Sequence, residues 1–221
     1  MGNISENKLG GLGLLVGPGL ATVLYIVIFV ILGGGGVDDP TNFTEVAAQS
    51  VTSLQQILWL FPAISLIFFF YGLTVLHNDI KESGSDAAIL RLGSIGVFFG
   101  ILGIFLGVAS GFGSNWDATG HDPATLQAVG ASINTYGGFV WSLGLILVTI
   151  AVASNREGMH KIFAYAMTIV ATVNLIIAAM DLLSPANWET TLMIYPIIYL
   201  VFSIWSITPV SYTHLTLPTK A

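Results

Sequence analysis

The sequence predicts an all-α membrane protein, a six-transmembrane-helix bundle built from a tandem helical-hairpin repeat. Three observations lead there. Apolar residues come in runs of about twenty, the length that crosses the hydrocarbon core of a bilayer. Of the 221 residues, 54% are hydrophobic and only 8% charged, with a mean hydropathy of +0.84, whereas soluble domains carry roughly a quarter charged residues. Finally, a glycine pattern and an Asp-Pro pair recur at one constant spacing along the chain.

The apolar runs cover residues 11–32, 57–76, 92–112, 136–153, 162–183 and 192–207, which form a single membrane domain over 1–209. Lys8, Lys81, Arg91, Arg156 and Lys161 fall before the first run, between the second and third, and between the fourth and fifth. The alternate loops hold Asp38, Asp39, Glu45, Asp117, Asp122 and Glu189 without a basic residue. The positive-inside rule therefore places the N-terminus in the cytoplasm, in what is expected to be a prokaryotic cytoplasmic membrane. Trp59, Trp116, Trp141 and Trp188 then map to the outer interface and Trp205 to the inner one, the level that indole rings prefer. The first run is too long for a signal peptide and lacks an A-x-A cleavage pattern, so it reads as an uncleaved anchor. Residues 210–221 begin Val210-Ser211-Tyr212-Thr213-His214-Leu215 and resemble a translated sequencing-library adapter. They are set aside as an artefact, which makes six a minimum number of spans.

A shift of 83 positions lays Gly10, Gly13 and Gly17 over Gly93, Gly96 and Gly100, and Asp39-Pro40 over Asp122-Pro123. Spans 1 and 2 therefore read as one copy of a hairpin, spans 3 and 4 as a second, and spans 5 and 6 as a degenerate third. Each copy starts inside and returns inside, so the repeats are parallel. Asp followed by Pro signals a helix start, because the carboxylate accepts an orphan backbone N–H and proline fits the first helical position. Helices are thus expected to begin at Pro40 and Pro123. Phe43, Ala47, Val51 and Leu54 then recur at steps of three and four, as an amphipathic lead into span 2.

Gly93, Gly96, Gly100, Gly103, Gly107 and Ser110 form a continuous seam of small residues along span 3. In lipid, where apolar contact between helices gains little from the hydrophobic effect, such seams let backbones approach. The period of 3.5 residues favours left-handed packing against a helix within the bundle. Pro18, Pro62 and Pro196 lie inside spans 1, 2 and 6, where proline removes a backbone hydrogen bond and bends a helix.

No charge lies at the centre of a span. Asp181 comes nearest, but at helical rise it stands about 30 Å from Lys161, at the outer interface. Asn174, with Thr168 and Thr172 nearby, is the deepest polar residue and is expected to bond a neighbouring helix. His77, His121 and His160 fall outside the spans, so haem ligation within the bundle is not expected. No cysteine is present, and no nucleotide or hydrolase motif occurs in a suitable context. No cofactor and no nucleic-acid partner are therefore expected. The outer loops are acidic, and Asp38, Asp39, His121 and Asp122 are candidates for a cation site at the matched helix starts; capping alone also accounts for Asp39 and Asp122. The partners expected are the lipid bilayer and either a second copy or other membrane subunits. Glycine seams and quiet loops favour a non-enzymatic scaffold or accessory subunit of a membrane complex. The alternative is a transporter or channel for a small neutral or cationic solute.

Overall fold

The computed structural model describes residues 5–31, 39, 41–48, 53–83, 86–113, 120–184, 188–191 and 194–215. Among these there is no strand. Helix α1 spans Glu6–Ile26 and widens into a π-helical turn over Val27–Ile31; it is followed by α2 Phe43–Ala48, α3 Ser53–Ser83, α4 Ala87–Gly113, α5 Pro123–Ser154, α6 Gly158–Leu183, α7 Trp188–Thr191 and α8 Tyr195–Leu215. Five of these helices, α1, α3, α4, α5 and α6, are long and apolar enough to cross a membrane, and α8 contributes a shorter apolar stretch, Tyr195–Pro209.

The outward faces identify the solvent these helices are built for. Ile162, Ile169, Ile176 and Leu183 recur every seven residues on α6 and are all exposed, Ile169 to 67%. Leu92, Phe99 and Leu106 form the same stripe on α4, with Leu92 60% exposed. Unbroken apolar stripes on several helices exceed what a water-soluble monomer exposes, and they suit a lipid surround.

The six long helices form a ring in which α3 packs on α1, α1 on α8, α8 on α6, α6 on α5, α5 on α4, and α4 on α3. Two antiparallel hairpins dominate it, and glycines set both. On α4, a methyl group at Gly96 would stand 2.9 Å from Gly144 Cα of α5, and one at Gly103 would stand 2.9 Å from Gly137 Cα. At Gly107 it would meet Gly130 O at 2.5 Å, and at Gly93 it would meet Gly144 O at 2.8 Å. Gly100 receives Trp141, and Ser110 Oγ donates to Leu126 O at 3.2 Å. The seam on α4 is thus met by Gly130, Gly137 and Gly144 on α5, spaced seven apart.

Gly10, Gly13 and Gly17 of α1 face α3 in the same manner, Gly10 against Val75 and Gly17 against Ser65 and Phe69. The register of the two hairpins differs, however. Gly13 meets Phe68 and Gly72, whereas Gly96 meets Val140 and Gly144; a constant shift of 83 would set it against Ala151 and Asn155. The first arms of the hairpins correspond at that shift, and the second arms are displaced by about three helical turns.

Polar ties join the hairpins to the remaining helices. Thr149 and Thr168 hydroxyls lie 2.8 Å apart between α5 and α6, and Thr22 and Ser203 hydroxyls 2.7 Å apart between α1 and α8. Arg156, on the α5–α6 turn, is buried and bonds Asp79 of α3 at 2.5 Å, while Asn155 Nδ2 donates to Asp86 Oδ2 at 3.1 Å. The Arg156–Asp79 pair thus ties the α5–α6 turn to α3 at this end of the ring. Gly158, at φ +57°, lets the chain turn back into α6, a conformation that side chains with a Cβ rarely adopt.

Several boundaries differ from those read in the sequence. Helix α5 starts at Pro123, where the Asp122-Pro123 pair predicts a start, and not at 136, where the apolar run begins; Gln127, Asn134 and Thr135 are helical and line a cavity, where a hydropathy window sees only polar residues. Trp141 therefore sits mid-helix and buried, not at an interface, and Trp205 is likewise buried and stacks on Phe202. Trp116 lies outside the described residues. Pro196 is the second residue of α8, in its first turn, where its missing N–H has no intrahelical acceptor to lose; no bend follows from it. Pro40 also lies outside the described residues, and α2 begins at Phe43, after Asn42 Oδ1 accepts from Glu45 N at 3.4 Å.

The helix contacts make a paired prediction. Replacing Gly137 by valine forces α4 and α5 apart and lowers unfolding stability in micelles by about 2 kcal/mol or more. Replacing Gly19, beside which nothing lies within 4 Å, by alanine raises stability by up to about 1 kcal/mol. Thermal melting of the two purified variants checks both signs.

A candidate binding cavity in one half of the ring

Phe69, Leu73, Leu76, Ile80, Leu90, Leu145, Val148, Val152 and Met167 fill the half of the ring that ends at Arg156. The other half is hollow. A cavity of about 390 Å³ lies there, lined by residues from all of the helices α1 to α8. Its wall is mainly aromatic and aliphatic, with Trp59, Phe105, Trp141, Trp188 and Phe202 among the rings. This volume falls within the range of small-molecule sites.

Asp181, near the end of α6, is 3% exposed and lines the cavity. Thr191 Oγ1 donates to it, 3.1 Å from Oδ1 and 3.0 Å from Oδ2, and the Tyr195 hydroxyl donates to Oδ2 at 2.8 Å. Short helix α7 therefore acts as a support: it carries Thr191 back over the end of α6. Tyr195 and Tyr199, one turn apart on α8, stack with ring centroids 6.4 Å apart. Tyr199 in turn meets Tyr25 at 5.2 Å and Trp141 at 5.9 Å. A continuous row of rings thus runs from the carboxylate into the cavity. Asp181 was expected at the outer interface; it lies two residues before the end of α6, and its burial comes from α7 and α8 folding over it.

Asn174, two turns deeper on α6, is 2% exposed and also lines the cavity. Its Nδ2 donates to Ser142 Oγ at 2.6 Å, and Ser142 Oγ donates to Gly138 O at 2.7 Å. Because the serine proton is already committed, serine can only accept from asparagine, which sets the orientation of the amide. Oδ1 is left buried without a hydrogen-bond partner. Thr168 pairs with Thr149 instead, and Thr172 bonds its own helix at Thr168 O.

The candidate cation ligands go elsewhere. Asp122 caps α5, accepting from Ala124 N at 3.3 Å and Thr125 N at 3.2 Å, and also from the Thr125 hydroxyl. Asp39 accepts from Thr41 N at 2.8 Å and Thr41 Oγ1 at 2.6 Å. Hydrogen bonds from the threonine hydroxyls hold both carboxyls below the usual range. His121 is half-buried beside Asp122, and Asp38 lies outside the described residues. Among the described residues, no three His, Asp or Glu side chains gather as a metal site.

Sequence reasoning singled out Asn174 and Asp181 but missed Tyr25, Thr191, Tyr195 and Tyr199. The i, i+4 pair Tyr195 and Tyr199 was the available signal; it marks a shared helix face without saying what that face meets. The glycines at 130, 137 and 144 were a second unused signal. No family model, no curated protein and no solved structure matches this chain.

The cap makes a pH prediction. With its folded pKa depressed, Asp122 contributes stability that is fully present above the unfolded value and is lost as pH falls through the folded one. Protection of the Ala124 and Thr125 amides, measured relative to their intrinsic exchange rates, therefore falls as the pH drops below about 4, and Asp122→Asn, which caps without titrating, removes that loss.

Proposed function

We propose that this chain is an integral membrane carrier or channel-type protein that takes a small, largely apolar solute into the hollow half of its ring. The cavity beside Asn174 and Asp181 supports this reading. A scaffold would be expected to pack its core throughout and present its small-residue seam outward. Here the seam of α4 is used up inside the chain against α5, and the outer stripes are bulky and suited to lipid.

Three finer points belong to the same proposal. Helix α8 is the sixth crossing, supported by its place in the ring between α1 and α6. The N-terminus faces the cytoplasm of a prokaryotic cell, supported by the basic residues that cluster at one end of the helices. The α1/α3 and α4/α5 hairpins descend from one unit, supported by their matched first-arm glycines, with the register change lying in the second arm.

Gly138 supplies the test. It lines the cavity, and nothing lies within 4 Å of a methyl group placed there, so a larger side chain occupies the cavity without striking a neighbouring helix at its base. Protein in nanodiscs is expected to bind a neutral aromatic probe, neopentylbenzene, saturably in equilibrium dialysis, and Gly138→Leu is expected to abolish that binding with an unchanged or higher melting temperature. Non-saturable uptake identical in both proteins would refute a binding cavity.

A further inference from the structure

We propose that the cavity selects an organic monocation, a protonated or quaternary amine of small aromatic size, with Asp181 as its counter-charge and the tyrosine row as its cation–π wall. The inference rests on the cavity being a ligand site, and it names the class of ligand.

Charge is the first ground. Asp181 is the sole carboxylic acid among the described lining residues, and Lys, Arg and His are absent from that lining. Its donors, Thr191 and Tyr195, are neutral hydroxyls; they orient the carboxylate and cancel no charge. In a low-dielectric cavity an uncompensated carboxylate is costly. An anionic solute would add to that cost and a neutral one would leave it. A cation removes it.

The wall narrows the kind of cation. Small hard ions are held by about six oxygen ligands, with carboxylates prominent among them; Asp181 is the one carboxyl in a mainly aromatic and aliphatic wall, whose other oxygen-bearing side chains, such as Gln55, Gln127, Asn134 and Thr135, are neutral. A cation spread over alkyl groups is weakly hydrated and gains from the negative faces of aromatic rings within about 6 Å. The row through Tyr195, Tyr199 and Tyr25 begins at the carboxylate itself, with Tyr195 Oη 2.8 Å from Asp181 Oδ2, and places charge and ring faces in one site.

Asn174 is the second, independent ground. Its buried Oδ1 is an acceptor with no partner. Asn174 and Asp181 thus present acceptor oxygens to the cavity at two depths of α6, which suits a solute that donates or carries positive charge.

The test compares benzyltrimethylammonium with neopentylbenzene, its neutral isostere, in equilibrium dialysis against nanodisc-embedded protein, with Gly138→Leu subtracted as the lipid background. The wild type is expected to bind the cation about tenfold or more tighter than the isostere, the scale of a desolvated cation–π contact plus a counter-charge. Asp181→Asn should bring the two within about twofold while keeping neopentylbenzene binding, which shows that the cavity is intact. Tyr199→Leu should weaken the cation alone, and Tyr199→Phe should restore it. Equal affinities in the wild type, or a cation preference that survives Asp181→Asn, would overturn the proposal and leave the binding cavity standing. Absence of specific binding by either probe would overturn both. If Asp181→Asn does not fold, the wild-type ratio and the Tyr199 pair still decide.

Discussion

Backbone-to-backbone contact between α4 and α5 is the constraint on which the rest of the ring depends. Six positions on α4 and three on α5 carry no more than a hydrogen or a hydroxymethyl group toward each other, and any larger group would meet main-chain atoms at under 3 Å at most of them. Lipid tails are as apolar as the helices they surround, so adhesion comes from close van der Waals approach and not from escape of apolar surface from water. The hairpin of α1 and α3 uses the same means at Gly10, Gly13, Gly17 and Gly72. Once the two hairpins are rigid, α6 and α8 are placed by a few hydroxyl and amide bonds, Thr149 to Thr168, Ser142 to Asn174 and Thr22 to Ser203.

Adjacent glycines on α5 show how the same residue type serves opposite ends. Gly137 faces α4, where Ile104 N and Gly100 O leave no room for a Cβ, while Gly138 faces open space. Glycine inside a helix costs about 1 kcal/mol relative to alanine. At 137 that cost is offset by contact with α4; at 138 no contact offsets it, and what glycine provides there is volume in the cavity. Ser142, one turn on, draws on the Gly138 carbonyl and thereby sets the direction of Asn174. Packing and binding are thus carried on different faces of one helix.

The two halves of the ring differ in what closes them. At one end Arg156 bonds Asp79, and large aliphatic side chains fill the interior. At the other, α7 and the start of α8 cover Asp181 with a threonine and a tyrosine, and below them lies the cavity lined with rings. A charge paired with an opposite charge can be packed over. Asp181, whose bonded partners are neutral hydroxyls, lines the cavity without an opposite charge beside it.

Much of the fold was legible because hydrocarbon imposes simple rules. Length and apolarity marked the positions of the helices, the small-residue period on α4 marked its contact face, and Asp122-Pro123 marked the start of α5 as a cap. Those features are local, and each depends on one helix or one turn. What surrounds Asp181 was not legible, since Tyr25, Thr191 and Tyr195 come from three separate elements and only the closure of the ring brings them together. Nor was the start of α5 visible in hydropathy, because a polar residue facing a cavity and one facing water read alike. The amino-acid sequence by itself determined that the chain is a lipid-facing helix bundle with a glycine seam, since both follow from side-chain size and apolarity along one dimension. The tertiary structure decided which carboxylate is buried and where the bundle is hollow, because burial and volume are properties of the space between helices.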